Sequence, residues 1–307
     1  MNKYMLILIL LVLILWFGFN AVQAFCASNV PIINQNDLVD MFTNNGCIVI
    51  PNVLTNSECN IIINNIRNEL SNNNAEFGDI NSQHRRIDLK LPIEKMDKFI
   101  KMVYERLNDF VETVIPNSKI VECSSLISYP GAYAQTWHYD TIPTKNGASL
   151  ISFGIALDDI DDSMGPLEVM MGSNKLFNID GGEQIIEKLH KKHETKKYFK
   201  NYYKSVGNIK YEIEKRGGSD EYSVDDLIND EATEMLCRIL GIKRVKCSCK
   251  KGSLIIWSSE VHHRGGENKS SKARPIFYFS LMGKGEPPIG ATYSLKSKNE
   301  RVYVKNL

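Results

Sequence analysis

The sequence predicts a mainly β fold with helical additions: one jelly-roll domain over residues 31–307, preceded by an export segment at residues 1–24. Three observations carry this prediction. From Lys119 onward, short runs rich in β-forming residues alternate with Gly, Pro and Asp turns. Before Lys119 the pattern is helical, with one short apolar strand. The first 25 positions are far more apolar than the rest. Of the 307 residues, 24% are charged and 43% hydrophobic, which argues against wholesale disorder and against a polytopic membrane protein. Lys and Arg number 37 against 36 Asp and Glu, for a net charge of +1, so no cation surplus points to nucleic acid as a partner.

Met5 to Phe19 is an apolar run broken only by Gly18, with Lys3 before it and Ala21-Val22-Gln23-Ala24 after it. A basic start, an apolar middle and small residues at the end describe a secretory signal peptide cleaved after Ala24. The alternative is an uncleaved single-pass anchor, with residues 5–19 as the only membrane contact. A spanning helix needs about 20 apolar residues, more than this run supplies unless Asn20 and Gln23 are tolerated. A buried core helix fits less well, because the run is apolar on every side. Lys3 is the only base before Arg67, which places the N-terminus in the cytosol. Either leading reading delivers the remaining chain to a secretory lumen or the exterior. Seven cysteines follow, an odd number, so at least one is unpaired in the monomer. An oxidising compartment allows one or two disulfides. Cys247-Ser248-Cys249 lacks the spacing of a zinc knuckle.

In chain order, Asn36-Asp37 caps a short helix through Phe42, Gly46 ends it, and Cys47 to Ile50 forms a strand closed by Pro51. Thr55 to Glu58 is a capping sequence for a helix to Leu70. Glu94 to Val114 reads as one helix, ended by Pro116. Strands are expected over 120–129, 132–139, 150–157, 167–170, 253–257 and 276–282. A long helical insertion is expected over about residues 180–245. Its first half, Glu183 to Arg216, carries ten Lys/Arg against five acids, and Gly217 to Met235 carries seven acids and no base. That reads as a solvated helix face, or as a lid whose basic half attracts an anion.

The residues able to carry chemistry stand in two β segments over a hundred positions apart. His138 and Asp140 lie two apart in an expected strand, so an imidazole and a carboxylate emerge on one face. They supply two of the three ligands of a 2-His-1-carboxylate site, which leaves open positions on Fe(II). The second segment, Trp257 to Asn268, places His262 and His263 before a Gly-Gly turn, and Arg274 stands in the next strand. A guanidinium there can hold a carboxylate in bidentate fashion. Gln135 and Trp257 are candidates to line the site, Gln135 through its amide. Trp257 reads equally well as core. His190 and His193 sit among lysines and read as solvated. His84 precedes Arg85-Arg86 in what reads as a polar loop without a role.

Taken together, these residues resemble the phytanoyl-CoA dioxygenase-like branch of the Fe(II)/2-oxoglutarate-dependent oxygenases. Phe42 to Glu58 (FTNNGCIVIPNVLTNSE) resembles the family's opening, His138-Tyr139-Asp140 its proximal metal motif, and Asp161 to Lys175 (DDSMGPLEVMMGSNK) the turn and strand that follow. Gly252 to Arg274 resembles the distal element, with Arg274 eleven residues after His263. The resemblance implies a double-stranded β-helix, cupin-like core. It implies His138, Asp140 and His263 as metal ligands, with His262 a surface or supporting residue, and Arg274 as the anchor of 2-oxoglutarate. The implied cofactors are Fe(II), 2-oxoglutarate and O₂, with ascorbate as a reductant. Asn174 departs from the family's Gly-Ser-His turn at a position that is not a ligand. Asp140 is present where related halogenases lack a carboxylate, which favours hydroxylation with release of succinate and CO₂.

Two alternatives stay open: a non-catalytic jelly-roll binding or scaffold protein, and a cupin-type metalloenzyme that does not use 2-oxoglutarate. The substrate is expected among small molecules, lipids and protein side chains. The sequon Asn268-Lys269-Ser270 lies in the turn beside the distal metal element and is expected to be unmodified.

Overall fold

The computed structural model describes residues 35–78, 85–135, 137–141, 148–178, 242–288, 295 and 302–307. The export or anchor segment, His84, most of the expected insertion, His190 and His193 lie outside them. Among the described residues, no helix is long and apolar enough to cross a membrane.

Helix α1 (Gln35–Asn45) ends at Gly46, whose positive φ of 72° is reached without a Cβ penalty and whose N–H donates to the Phe42 carbonyl at 2.7 Å. Strand β1 (Cys47–Ile50) follows. Thr55 then opens α2 (Asn56–Leu70) with a capping box: its hydroxyl accepts from the Glu58 N–H, and the Glu58 carboxylate accepts from the Thr55 N–H. The helix expected over residues 94–114 is two helices, α3 (Ile93–Arg106) and α4 (Asn108–Val114). The chain leaves helical geometry at Leu107, φ −131°, a turn that lets both Leu107 and Phe110 reach the core.

The large sheet has strand order β1-β7-β4-β9-β3-β2, formed with β2 (Arg86–Lys90), β3 (Lys119–Ser128), β4 (Leu150–Ala156), β7 (Leu254–Ser258) and β9 (Arg274–Met282). The small sheet has order β6-β5-β8, with β5 (Leu167–Met171), β6 (Lys243–Lys246) and β8 (His263–Gly265). Every pairing is antiparallel, and the two sheets do not close into a barrel. Three expectations are corrected here. The described residues of 132–139 form no regular strand, only a bridge between His138 and His263. The expected polar loop around Arg86 is strand β2, paired with β3. The described end of the expected helical insertion is strand β6, paired with β5.

Register assigns a face to every residue of the large sheet, because directly opposed residues point the same way. One face carries Ile127, Phe153, Phe277 and Phe279. Phe153 and Phe279 stack at 5.1 Å, and Ile63, Ile66 and Leu70 of α2 lie beside Ile127 and Pro275. The opposite face looks toward the small sheet. There Cys47, Ile255, Val169, Cys247 and Val261 form an apolar cluster that joins the sheets at one edge. Farther along that face the side chains turn polar: Arg86, Asp88, Glu122, Ser128, Arg274, Tyr278 and Ser280. Asp88, Glu122 and Tyr278 keep partial exposure despite facing inward.

The described cysteines 47, 59, 123, 247 and 249 are free thiols; Cys26 and Cys237 lie outside the described residues. Asn268 is fully buried, and its amide nitrogen donates to the Ser128 and Lys272 carbonyls at 2.9 Å each. The folded chain therefore does not present that sequon.

Candidate metal centre

Strand β8 is only three residues long and is held on both sides. Its Val169↔His263 register fixes it to β5. On its other side His138 and His263 exchange two backbone hydrogen bonds of 3.0 Å. Gln135 completes this edge: its N–H donates to the Gly265 carbonyl, and its side-chain oxygen accepts from the Gly265 N–H, both at 2.9 Å. A side-chain oxygen thus stands where a ladder would use a carbonyl, which is why residues 132–139 need no regular strand. Gln135 shapes the strand that bears His263.

This pairing brings His138, Asp140 and His263 together, with one potential ligand atom from each all within 4.8 Å of one another. Asp140 Oδ1 stands 3.7 Å from His138 Nε2 and 3.5 Å from His263 Nε2. His263 Nδ1 lies 2.9 Å from the Val261 carbonyl, the contact that turns Nε2 toward the cluster. Trp257 Nε1 donates to Asp140 Oδ2 at 3.3 Å, and the Asp140 N–H donates to the Ser259 carbonyl at 2.9 Å. Trp257 is therefore a support of the carboxylate, and its ring lies across Gly154, where a Cβ would come within 3.0 Å. Two imidazoles and one carboxylate on one side of a cation leave the other side open, the donor set suited to Fe(II).

His262 points the other way, as alternation along the strand requires. It is not a surface residue: 1% of it is exposed, it stacks against Trp137 at 5.6 Å, and the tilted ring of Tyr139 lies 4.4 Å away. Beside it, Arg264 and Arg244 both donate to Glu168 Oε2, at 2.7 and 2.8 Å. Burial pushes the Glu168 carboxyl up, but Arg264 and then Arg244 outweigh it and hold the group below its ordinary range. Asn174, the departure from the family turn, donates to the Thr43 carbonyl at 3.4 Å and so ties this turn to the end of α1.

Arg274 is 1% exposed. It donates through Nη1 to the Gly165 carbonyl and through Nη2 to Ser128 Oγ at 3.0 Å, while its Nε has no partner among the described residues. A second guanidinium, not anticipated from the sequence, shares the same hydroxyl. Arg86, 2% exposed, donates from Nε to Ser128 Oγ at 3.0 Å and from Nη2 to the Gly266 carbonyl at 2.6 Å. Arg86, Ser128 and Arg274 form one row across β2, β3 and β9. Neither guanidinium meets a carboxylate among the described residues. Burial, then the like charge of Arg86, bring Arg274 down to about 9, and burial brings Arg86 down to about 10. Two buried cations without an anion, one with an orphaned N–H, fit an acidic co-substrate.

Comparison with known proteins agrees with this geometry. The carbocyclase SnoK of nogalamycin biosynthesis, a non-heme alpha-ketoglutarate-dependent enzyme, superposes with a TM-score of 0.55 at 13% identity, covering 86% of this chain and 90% of that one. The epimerase SnoN, solved with Fe3+, alpha-ketoglutarate and nogalamycin RO, gives 0.55 at 13% identity over 82% and 86% of the two chains. EvdO2 from Micromonospora carbonacea var. aurantiaca, complexed with 2-oxoglutarate, gives 0.51 at 14% identity over 86% and 96%. At such identities the likeness establishes the jelly-roll fold. No curated protein matches the chain in sequence. Residues 42–276 match the profile of the family described as phytanoyl-CoA dioxygenase (PhyH), a span that holds the His-Asp-His cluster and both buried arginines, and the chain belongs to that family.

Proposed function

We propose that the protein is an Fe(II)- and 2-oxoglutarate-dependent dioxygenase that hydroxylates an unactivated C–H bond, with release of succinate and CO₂. The observation that carries this reading is the cluster of His138, Asp140 and His263, with the unneutralised Arg86–Arg274 pair on the neighbouring strands. His138, Asp140 and His263 would hold the iron. Arg274, with Arg86 beside it, would take the distal carboxylate of 2-oxoglutarate. When bound, iron, 2-oxoglutarate and O₂ supply the oxidising chemistry. The chain supplies geometry: Val261 orients His263, Trp257 orients Asp140, Gln135 fixes the strand that bears His263, and the buried arginine row neutralises the co-substrate. Asp140 occupies the position that a halogenase would leave to chloride, which supports hydroxylation. The carbocyclase and epimerase among the structural neighbours make product identity the decisive measurement. Ascorbate would serve as the reductant that restores Fe(II).

Succinate formation by the iron-loaded protein tests this reading. His263→Ala should abolish it and lower iron affinity by more than about 100-fold, read by metal titration. Arg274→Ala should raise the 2-oxoglutarate KM about ten- to a hundred-fold, since a buried charge-assisted contact is worth roughly 1.5–3 kcal/mol. An unchanged KM would sink the Arg274 assignment; activity without 2-oxoglutarate, abolished by His263→Ala and nearly intact in Arg274→Ala, would point instead to a metalloenzyme that does not use it. No succinate under any condition would leave a binding protein. We also propose export, as a soluble lumenal enzyme or an anchored one, on the strength of the apolar run Met5 to Phe19. N-terminal sequencing of the secreted protein should begin after Ala24; retention of Met1 in a membrane fraction would favour the anchor.

A further inference from the structure

The large sheet ends at one side in β1 and the small sheet in β6, and among the described residues no hydrogen-bonded ladder joins these two edge strands. Side chains meet there instead. Cys47, the first residue of β1, and Cys247, directly after β6, face each other with their Sγ atoms 3.9 Å apart. Both are buried, 1% and 4% exposed, in the apolar cluster with Val169, Ile255 and Val261. Their backbones are held by different sheets. Cys47 stands opposite Trp257 in the β1–β7 ladder, and the Cys247 N–H donates to the Leu167 carbonyl of β5 at 2.8 Å.

A metal would need more ligands than two thiols. Among the described residues, the only group of three or more His, Cys, Asp or Glu close enough to hold an ion is His138, Asp140 and His263. Core packing explains why two cysteines are buried, but not why sulfur meets sulfur from positions 200 apart. Closing a disulfide brings the sulfurs to about 2.05 Å, an approach of roughly 2 Å shared between two side chains.

We infer that Cys47 and Cys247 form a structural disulfide when the chain folds in an oxidising compartment, and that it staples the edge of the large sheet to the edge of the small one. The pairing does not depend on the metal-centre reading; its formation in the cell rests on the export proposed above. With oxidised glutathione as oxidant, one cysteine thiolate attacks its S–S bond and releases one glutathione thiolate. The other cysteine thiolate then attacks the mixed disulfide, forms the Cys47–Cys247 bond and releases the second glutathione. The two protons lost by the cysteines go to the two glutathione thiolates. This must happen before the edges close. The hydrogen bond with Cys247, then burial, push the Cys47 thiol well above its ordinary range, so the folded dithiol offers little thiolate. The same burial shields the finished bond from external thiols, which makes it a permanent staple and not a switch.

The test refolds the full chain in a glutathione redox buffer, alkylates free thiols and maps peptides without reduction. A peptide pair joining Cys47 to Cys247 is expected. Oxidised wild type should melt about 5–15 °C above the reduced protein, because the bond closes a long loop of the unfolded chain. Cys47→Ala and Cys247→Ala should each lose that rise, and Cys249→Ala should keep it, with circular dichroism verifying that each variant is folded. Where a variant fails to fold, the wild-type map decides. The inference is overturned if both thiols are alkylated after oxidative refolding, if either is joined to another cysteine, or if oxidation does not raise the melting temperature. Mapping of protein recovered from the secretory pathway is a separate arm. A bond that forms on refolding but is absent there sinks the export reading and leaves the pairing. Alkylated thiols in both arms sink the pairing.

Discussion

The two faces of the large sheet obey opposite rules. The face toward the helices is apolar and stacked: Phe153 on Phe279, with Phe277 beside them, all at most 1% exposed. The inner face beyond the apolar edge holds two unneutralised arginines, a partly exposed glutamate and a tyrosine bonded to an aspartate. Burial stabilises the first face at roughly 25 cal/mol per Å² of apolar area. The second face gains nothing comparable and carries desolvated charge. Alternation along β3 and β9 places both in one set of residues: odd positions such as Phe277 and Phe279 stabilise the fold, and even positions such as Arg274, Tyr278 and Ser280 face the chemistry.

The comparison is broken most strongly on the apolar side. Phe279→Ala should destabilise the protein by about 3–5 kcal/mol, seen as a lower denaturant midpoint with an unchanged slope. Co-substrate affinity of the folded fraction should hold, because Phe279 points away from the arginine row. On the inner face a substitution should have the opposite sign, and its size should depend on pH. The Glu122 carboxyl is raised from 4.5 to about 7. Between those values the folded state holds a proton that the unfolded state has released, so stability falls as pH rises and levels off above about 7. Glu122→Gln should therefore be more stable than wild type at pH 8, by up to about 3 kcal/mol, and nearly equal to it at pH 4.5, as thermal unfolding at both pH values will show. A gain that did not depend on pH would mean that packing, and not charge, sets the cost. The smallest effect concerns Trp257→Phe, which keeps an aromatic side chain and removes the donor to Asp140. Iron affinity should fall about ten-fold in metal titration, with little change in melting temperature.

The apolar face was the legible one. Runs such as Leu150 to Ala156 announce a strand because every residue in it is buried, and the Thr55–Glu58 pair announces a helix start through its own hydrogen bonds. The members of the His138, Asp140 and His263 cluster were legible too, because two-residue spacing and the histidine before Gly265-Gly266 are local patterns. The inner face was not. Arg86 follows another arginine in a polar stretch, and charge in sequence reads as surface; only the pairing of Arg86 with Ser128 shows that it is interior. Glu122 sits among β-formers with nothing nearby in sequence to mark it, since its partner Ser280 is 158 positions away. The break at Leu107 was also hidden, because both flanking segments are good helix sequence and the tertiary position of Phe110 decides the turn.

The contact that assembles the cluster joins segments far apart in the chain. Gln135 and Gly265 meet across 130 residues, and the short strand bearing His263 has neighbours only once β5 and the Gln135 segment are both in place. Such non-local pairings form late, after the cost of closing a long loop has been met. A partly folded chain therefore offers a metal ion two ligands from one segment or a single histidine from the other, never all three. Under the proposed function, an iron ion would find its complete site only in a chain that has already folded, which would place metal loading late in maturation.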